Sequence, residues 1–101
     1  MILTKLTLSC PRAIADTMVE FLLESGLDAN GFTTVAASGH GADFTSASLR
    51  EKVRGSIDTV LVILILPSAN LAPLLNEMHG RFRSPQMHYW TEPVHETGDF
   101  A

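Results

Sequence analysis

Along residues 2–8, Ile2, Thr4, Leu6 and Leu8 alternate with Leu3, Lys5 and Thr7, and this period of two, with one face more apolar, predicts a first strand. The period then lengthens. Pro11, whose missing N–H costs nothing in a first turn, opens a predicted helix in which Ile14, Met18, Phe21, Leu22 and Ser25 share one stripe, and Gly26 supplies its stop. Residues 32–38, rich in Thr and Val, predict a second strand, and residues 57–66 a third that Pro67 ends. Ser68 is the expected N-cap of a second helix. There Leu71, Leu74, Leu75, Met78 and Phe82 recur at helical spacing, the strongest such pattern in the chain, and Gly80 is expected to mark the end. Residues 86–91, with Tyr89 and Trp90, predict a fourth strand, and the tail from Pro93 is expected to add a short edge strand.

The order β-α-β-β-α-β predicts an α+β, ferredoxin-like sandwich over residues 1–101, in which two helices cover one face of an antiparallel sheet. The third strand sharpens this picture. Its TVLVILIL is apolar at every position after Thr59, whereas a sheet with one wet face calls for alternation, so both faces of this strand are expected to be dry. The chain holds no third helix to cover the second face, and self-association through it is the expectation. Between the second and third strands lies ASGHGADFTSASLREKVRGS, residues 37–56, a polar connection. Connections in compact domains run about 4–6 residues, so one this long is the first place to look for function.

Composition excludes several classes. With 101 residues, 46% hydrophobic and 18% charged, the chain suits one globular domain. A net charge of −4 and a pI near 5.4 argue against nucleic acid, whose binding rests on clustered Lys and Arg. The single Cys10 excludes an intrachain disulfide framework and a zinc site of paired cysteines, and its place before a proline suits a structural thiol. Lys5 interrupts the apolar N-terminus, so no secretion signal is expected. The longest apolar run, residues 60–66, is far below the roughly 20 needed to span a bilayer, so no membrane insertion and a cytoplasmic location are expected.

The available metal donors are His40, His79, His88 and His95, with Cys10 and Asp43. They show no i, i+4 His pair and no CxxC spacing. His40, between two loop glycines, and His88, alternating with Met87 and Tyr89, are the candidate metal ligands; each equally suits a solvated loop or a subunit contact. His79, beside core-facing Met78, reads as a surface residue, and Tyr89 and Trp90 suit an interface. Arg50, Glu51, Lys52 and Arg54 read either as a solvated helix face anchored by Leu49 and Val53 or as contacts to an anionic ligand or acidic partner. Small enzymes such as acylphosphatases share this element order. Their phosphate loop needs glycines, and Ser9-Cys10-Pro11-Arg12 offers only the arginine; with no carboxylate pair and no G-x-S-x-G turn, an enzyme is not expected.

Three segments in this order carry a family resemblance: Gly31-Phe32-Thr33-Thr34, Gly39-His40-Gly41 and Glu51-Lys52-Val53-Arg54-Gly55, followed by the apolar third strand and a terminal YWTEPV. Together they resemble the PII-like superfamily, which includes the signalling PII proteins and CutA, and within it a domain-of-unknown-function branch about a hundred residues long. The resemblance covers essentially the whole chain. It implies a homotrimer with sheets packed inward, and a T-loop at residues 37–56 that contacts a partner protein, with Asp43, Phe44, Arg50, Glu51, Lys52 and Arg54 as its contact residues. It implies ligand contacts at Gly39, His40 and Gly41 and, after the second helix, at Arg81 and Arg83. The sequence departs from the pattern there: GRFRSP lacks the glycines that wrap a phosphate, and the tail carries Glu96 and Asp99 and no arginine. Both departures argue against ordinary PII-type ATP or ADP binding. Members of this branch are often encoded beside heavy-metal efflux transporters, so the resemblance implies a regulatory protein with a membrane transporter as partner and a divalent or monovalent metal ion as candidate ligand. The alternative it implies is a CutA-like divalent-metal-binding protein without a signalling target.

Overall fold

The computed structural model describes residues 1–26, 31–41 and 55–101. Its elements are β1 (Leu3–Pro11), α1 (Arg12–Ser25), β2 (Thr33–Gly39), β3 (Ile57–Pro67), a 3-10 turn (Ser68–Asn70), α2 (Leu71–Arg81) and β4 (His88–Val94). The strands form one antiparallel sheet in the order β2-β3-β1-β4, which is the ferredoxin-like arrangement.

Pairing register divides every strand into two faces. On β1, Leu6 and Leu8 stand opposite Leu64 and Val62 of β3, and these face the helices. They join Cys10 and Leu66, Met18, Phe21 and Leu22 of α1, and Leu74 and Met78 of α2 in one core. Phe21 and Phe82 meet edge to face, ring centres 5.6 Å apart. The other face carries Leu61, Ile63 and Ile65, with Val35 of β2 and Trp90 of β4 across the sheet. No helix among the described residues covers it: Leu61, Ile63 and Ile65 are half-buried, and Val35 and Trp90 remain 42% and 45% exposed.

Local chemistry explains the boundaries. Pro11 ends β1 and precedes α1 with φ −55°, a value both elements accept, and Gly26 closes α1 in the left-handed region at φ 67°. Ser68 does not cap α2 with its side chain. Its hydroxyl instead hydrogen-bonds Thr4 Oγ1 at 2.6 Å, its N–H donates to the Ile2 carbonyl, and a 3-10 turn intervenes before the helix. Gly80 lies inside α2 and does not end it. The stop falls at Phe82, held extended at φ −122°, where its ring enters the core beside Phe21. The fourth strand starts at His88 and not at residue 86, because Met87 N–H donates to the Ser84 carbonyl and closes a turn first. The tail beyond Val94 adds no further strand. Pro93, lacking an N–H, sits in β4, which is itself the edge, and Thr97 to Asp99 turn back beside Leu3, Thr33 and Ile65.

Candidate functional site

The uncovered sheet face ends in a cleft built by all four strands. Gly39 closes β2 against β3 so tightly that a Cβ there would stand 3.0 Å from Thr59 Oγ1, which itself donates to the Ile57 carbonyl at 3.0 Å. A side chain at this position would push Thr59 aside. Gly41, at φ 73°, then turns the chain, and His40 is carried between the two. From the far end of the sequence, Ser84 organises the approach to β4: its hydroxyl donates to Gln86 Oε1 at 3.2 Å and accepts the Gln86 N–H at 3.3 Å. Ser9 of β1 then pairs with His88 of β4, which sets both on the uncovered face.

The cavity holds about 280 Å³ and is lined by Ser9, Gly39, His40, Gly41, Thr59, Gln86 and His88, with Pro11 and Ile57 as its apolar floor. Its polar groups are two hydroxyls, one amide and two imidazoles. No Lys, Arg, Asp or Glu is among these lining residues. The described lining offers hydrogen bonds and borderline nitrogen donors. Among the described residues no group of three or more His, Cys, Asp or Glu could hold a metal ion.

Of the residues singled out from the sequence, Gly39, His40, Gly41 and His88 meet in this cleft. Arg81 and Arg83 do not line it. Arg81 lies over the Phe21 ring at 5.5 Å, a cation–π contact at the end of α2, and Arg83 lines a separate, apolar cavity between α2 and β4. His79 is exposed; its Nδ1–H donates to the Leu75 carbonyl at 2.8 Å, and its ring meets Tyr89 edge to face at 6.3 Å. His95 is exposed in the tail. Cys10 is 0% exposed, and burial pushes its thiol pKa up, so it is held as an inert thiol. Ala37, Ser38 and Gly39 belong to β2, which shortens the connection to β3. Asp43, Phe44, Arg50, Glu51, Lys52 and Arg54 lie outside the described residues. Ser9, Thr59 and Gln86 escaped sequence reading. The one signal for them is that a glycine ending a strand implies a close neighbour, but naming that neighbour needs the register.

A ferredoxin-like sheet carrying a glycine-flanked cleft where β2 ends defines the class of fold. Within that class, the sequence pattern of the DUF3240 family, described as protein of unknown function, matches residues 2–101, and the chain belongs to that family. The fold is similar to that of a DUF3240 family protein from Shewanella baltica OS155, with a TM-score of 0.78, 20% identity and coverage of 98% of this chain and 97% of that one. It is also similar to CPII, a nitrogen regulatory PII-like protein from Thiomonas intermedia K12 whose structure is bound to ADP, AMP and bicarbonate; the TM-score is 0.72 at 19% identity, covering 99% and 98% of the two chains. A Bacillus cereus protein related to NIF3 shares the fold over only 26% of its own length, at a TM-score of 0.71 and 14% identity, which covers 97% of this chain. No protein of curated function matches the chain.

Proposed function

We propose that this protein is a PII-like regulatory protein that works as a homotrimer, binds a small ligand in the His40–His88 cleft and reports it to a partner through the connection between β2 and β3. The carrying observation is the cleft itself, which gathers Gly39, His40, Gly41 and His88 from two distant stretches of sequence to the foot of the long connection. A ligand there sits where it can bias that connection. The half-exposed row Leu61, Ile63 and Ile65 supports assembly with sheets facing inward.

For the ligand, the two imidazoles favour a transition-metal ion, monovalent or divalent, with a second subunit or solvent completing the coordination. A second reading, an adenine nucleotide, is favoured by the likeness to CPII, which is bound to ADP and AMP. Among the described lining residues there is no Lys or Arg to meet a triphosphate. A partner of the metal-efflux transporter type belongs to the same proposal and follows from the metal reading. Among the described residues no helix is long and apolar enough to cross a membrane, so such a partner would be met through the protein's surface.

Native mass spectrometry with Zn²⁺, Ni²⁺, Cu⁺ and adenine nucleotides tests the assignment. A trimer that retains metal, and loses it in both His40→Ala and His88→Ala, supports the metal reading. Retention of nucleotide with indifference to both substitutions transfers the assignment to the second reading. A monomer that binds neither overturns the proposal.

A further inference from the structure

We propose that the groove between α2 and β4 is a second ligand site, taking an amphipathic anion such as an aliphatic or aryl carboxylate. The cavity holds about 440 Å³, within the range of roughly 300–1,000 Å³ usual for small-molecule sites. Leu8, Leu75, Met78, Phe82, Met87 and Tyr89 make its walls. It is not a sealed packing gap, since Tyr89 is 48% exposed and Phe82 and Met87 are only partly buried against the core. Two methionines give the wall an adaptable shape, which suits flexible chains and flat rings alike.

The polar groups at the groove select the charge. Arg83 lines it and is exposed, with no acidic partner among the described residues. A guanidinium presents a planar fork that matches a carboxylate in two hydrogen bonds. His79 stands in the last turn of α2, and because its Nδ1 is engaged by the Leu75 carbonyl, only Nε2 faces outward as a further polar contact. No Asp or Glu is among the lining residues, although the chain carries a net charge of −4. A cationic group at the mouth of an apolar groove, on an acidic protein, complements one molecule type best: an apolar body ending in an anion.

This site shares only His88 with the cleft that carries the regulatory proposal, so the two stand or fall separately. The test is a backbone amide NMR titration of the full chain with octanoate, with octan-1-ol as the uncharged control, in wild type, Arg83→Gln and His40→Ala. Saturable shifts at Leu75, Met78, Met87 and Tyr89 are expected, together with weakening of about 5-fold in Arg83→Gln, the upper end for an exposed ion pair. Octan-1-ol should bind correspondingly worse, and His40→Ala should bind octanoate as wild type does. Arg83 is exposed, so its substitution leaves the core intact and the spectrum itself reports folding. The proposal fails if octanoate shifts no groove amide, or if octan-1-ol binds equally well and Arg83→Gln changes nothing. It also fails if the groove amides shift with protein concentration alone, because a second copy then occupies the groove.

Discussion

The two faces of the sheet are made by the same four strands and by alternate residues of the same segments, yet they have opposite fates. On the helix face, Leu6 and Val62 are completely buried, and Leu8, Leu64 and Leu66 nearly so. On the other, residues no less apolar, Leu61, Ile63 and Ile65, stay half-buried, while Val35 and Trp90 are close to half exposed. Hydrophobicity alone therefore does not divide the core from the surface here. The helices decide which face is the core of the chain, and the second face keeps apolar residues that the helices do not cover.

The largest expected effect breaks the first face. Leu64→Ala removes a side chain that is 2% exposed and packed between both helices and β1, and it should cost about 2–5 kcal/mol in urea unfolding. Ile63→Glu, one residue along, should leave far-UV circular dichroism unchanged while native mass spectrometry shows the proposed trimer falling to monomer, because a carboxylate cannot enter a dry contact unpaired. Should Ile63→Glu destabilise the chain as much as Leu64→Ala does, the two faces are not functionally distinct; should it leave the assembly intact, the subunit contact lies elsewhere.

A smaller effect titrates the buried face. Burial raises the Cys10 pKa above its ordinary value of 9.0, so the folded state favours the neutral thiol. The sign follows directly: the unfolded chain releases this proton first, so the stability contributed is fully present below the unfolded pKa and is lost as pH rises through the folded one. Urea midpoints should fall from pH 8 to pH 10 in wild type and fall less steeply in Cys10→Ala. Equal slopes would show that Cys10 is reached by solvent.

Much of this contrast was legible in the chain. The period of two in residues 2–8 and the helical spacing of Leu71, Leu74, Leu75, Met78 and Phe82 reflect local geometry, and both elements fold where that geometry puts them. The unbroken TVLVILIL marked the third strand as apolar on both faces. What depended on distant partners was not legible. Ser68 reads as a cap until Thr4 is seen to take its hydroxyl, and Gly80 reads as a stop until the Phe21 ring is seen to draw Phe82 out of the helix. The same holds for the site. His40 and His88 could be named as donors, but their meeting depends on the pairing of Ser9 with His88 and on the Gly39–Thr59 approach, both properties of register. Arg81 and Arg83 followed from loop position alone, and the Phe21 ring and the groove beside β4 hold them on other business.

The smallest effect is the most discriminating about the second face. Glu92 Oε1 accepts the Trp90 indole N–H at 3.2 Å and lies 3.9 Å from Lys5 Nζ, and register puts all three residues on the uncovered face. In the chain alone the Lys5 and Glu92 side chains are 36% and 50% exposed, and a pair so open to water is worth about 0–1 kcal/mol and is screened by salt. Subunits covering that face would desolvate the pair, and removing one partner would then strand the other in a dry contact at a larger, salt-insensitive cost. Glu92→Gln keeps the shape and an acceptor for Trp90 while deleting the charge. Its change in thermal midpoint, measured at 20 mM and 500 mM NaCl, should be small and vanish at high salt if the face is wet. If the face is the subunit contact, the change should persist undiminished at high salt and grow with protein concentration.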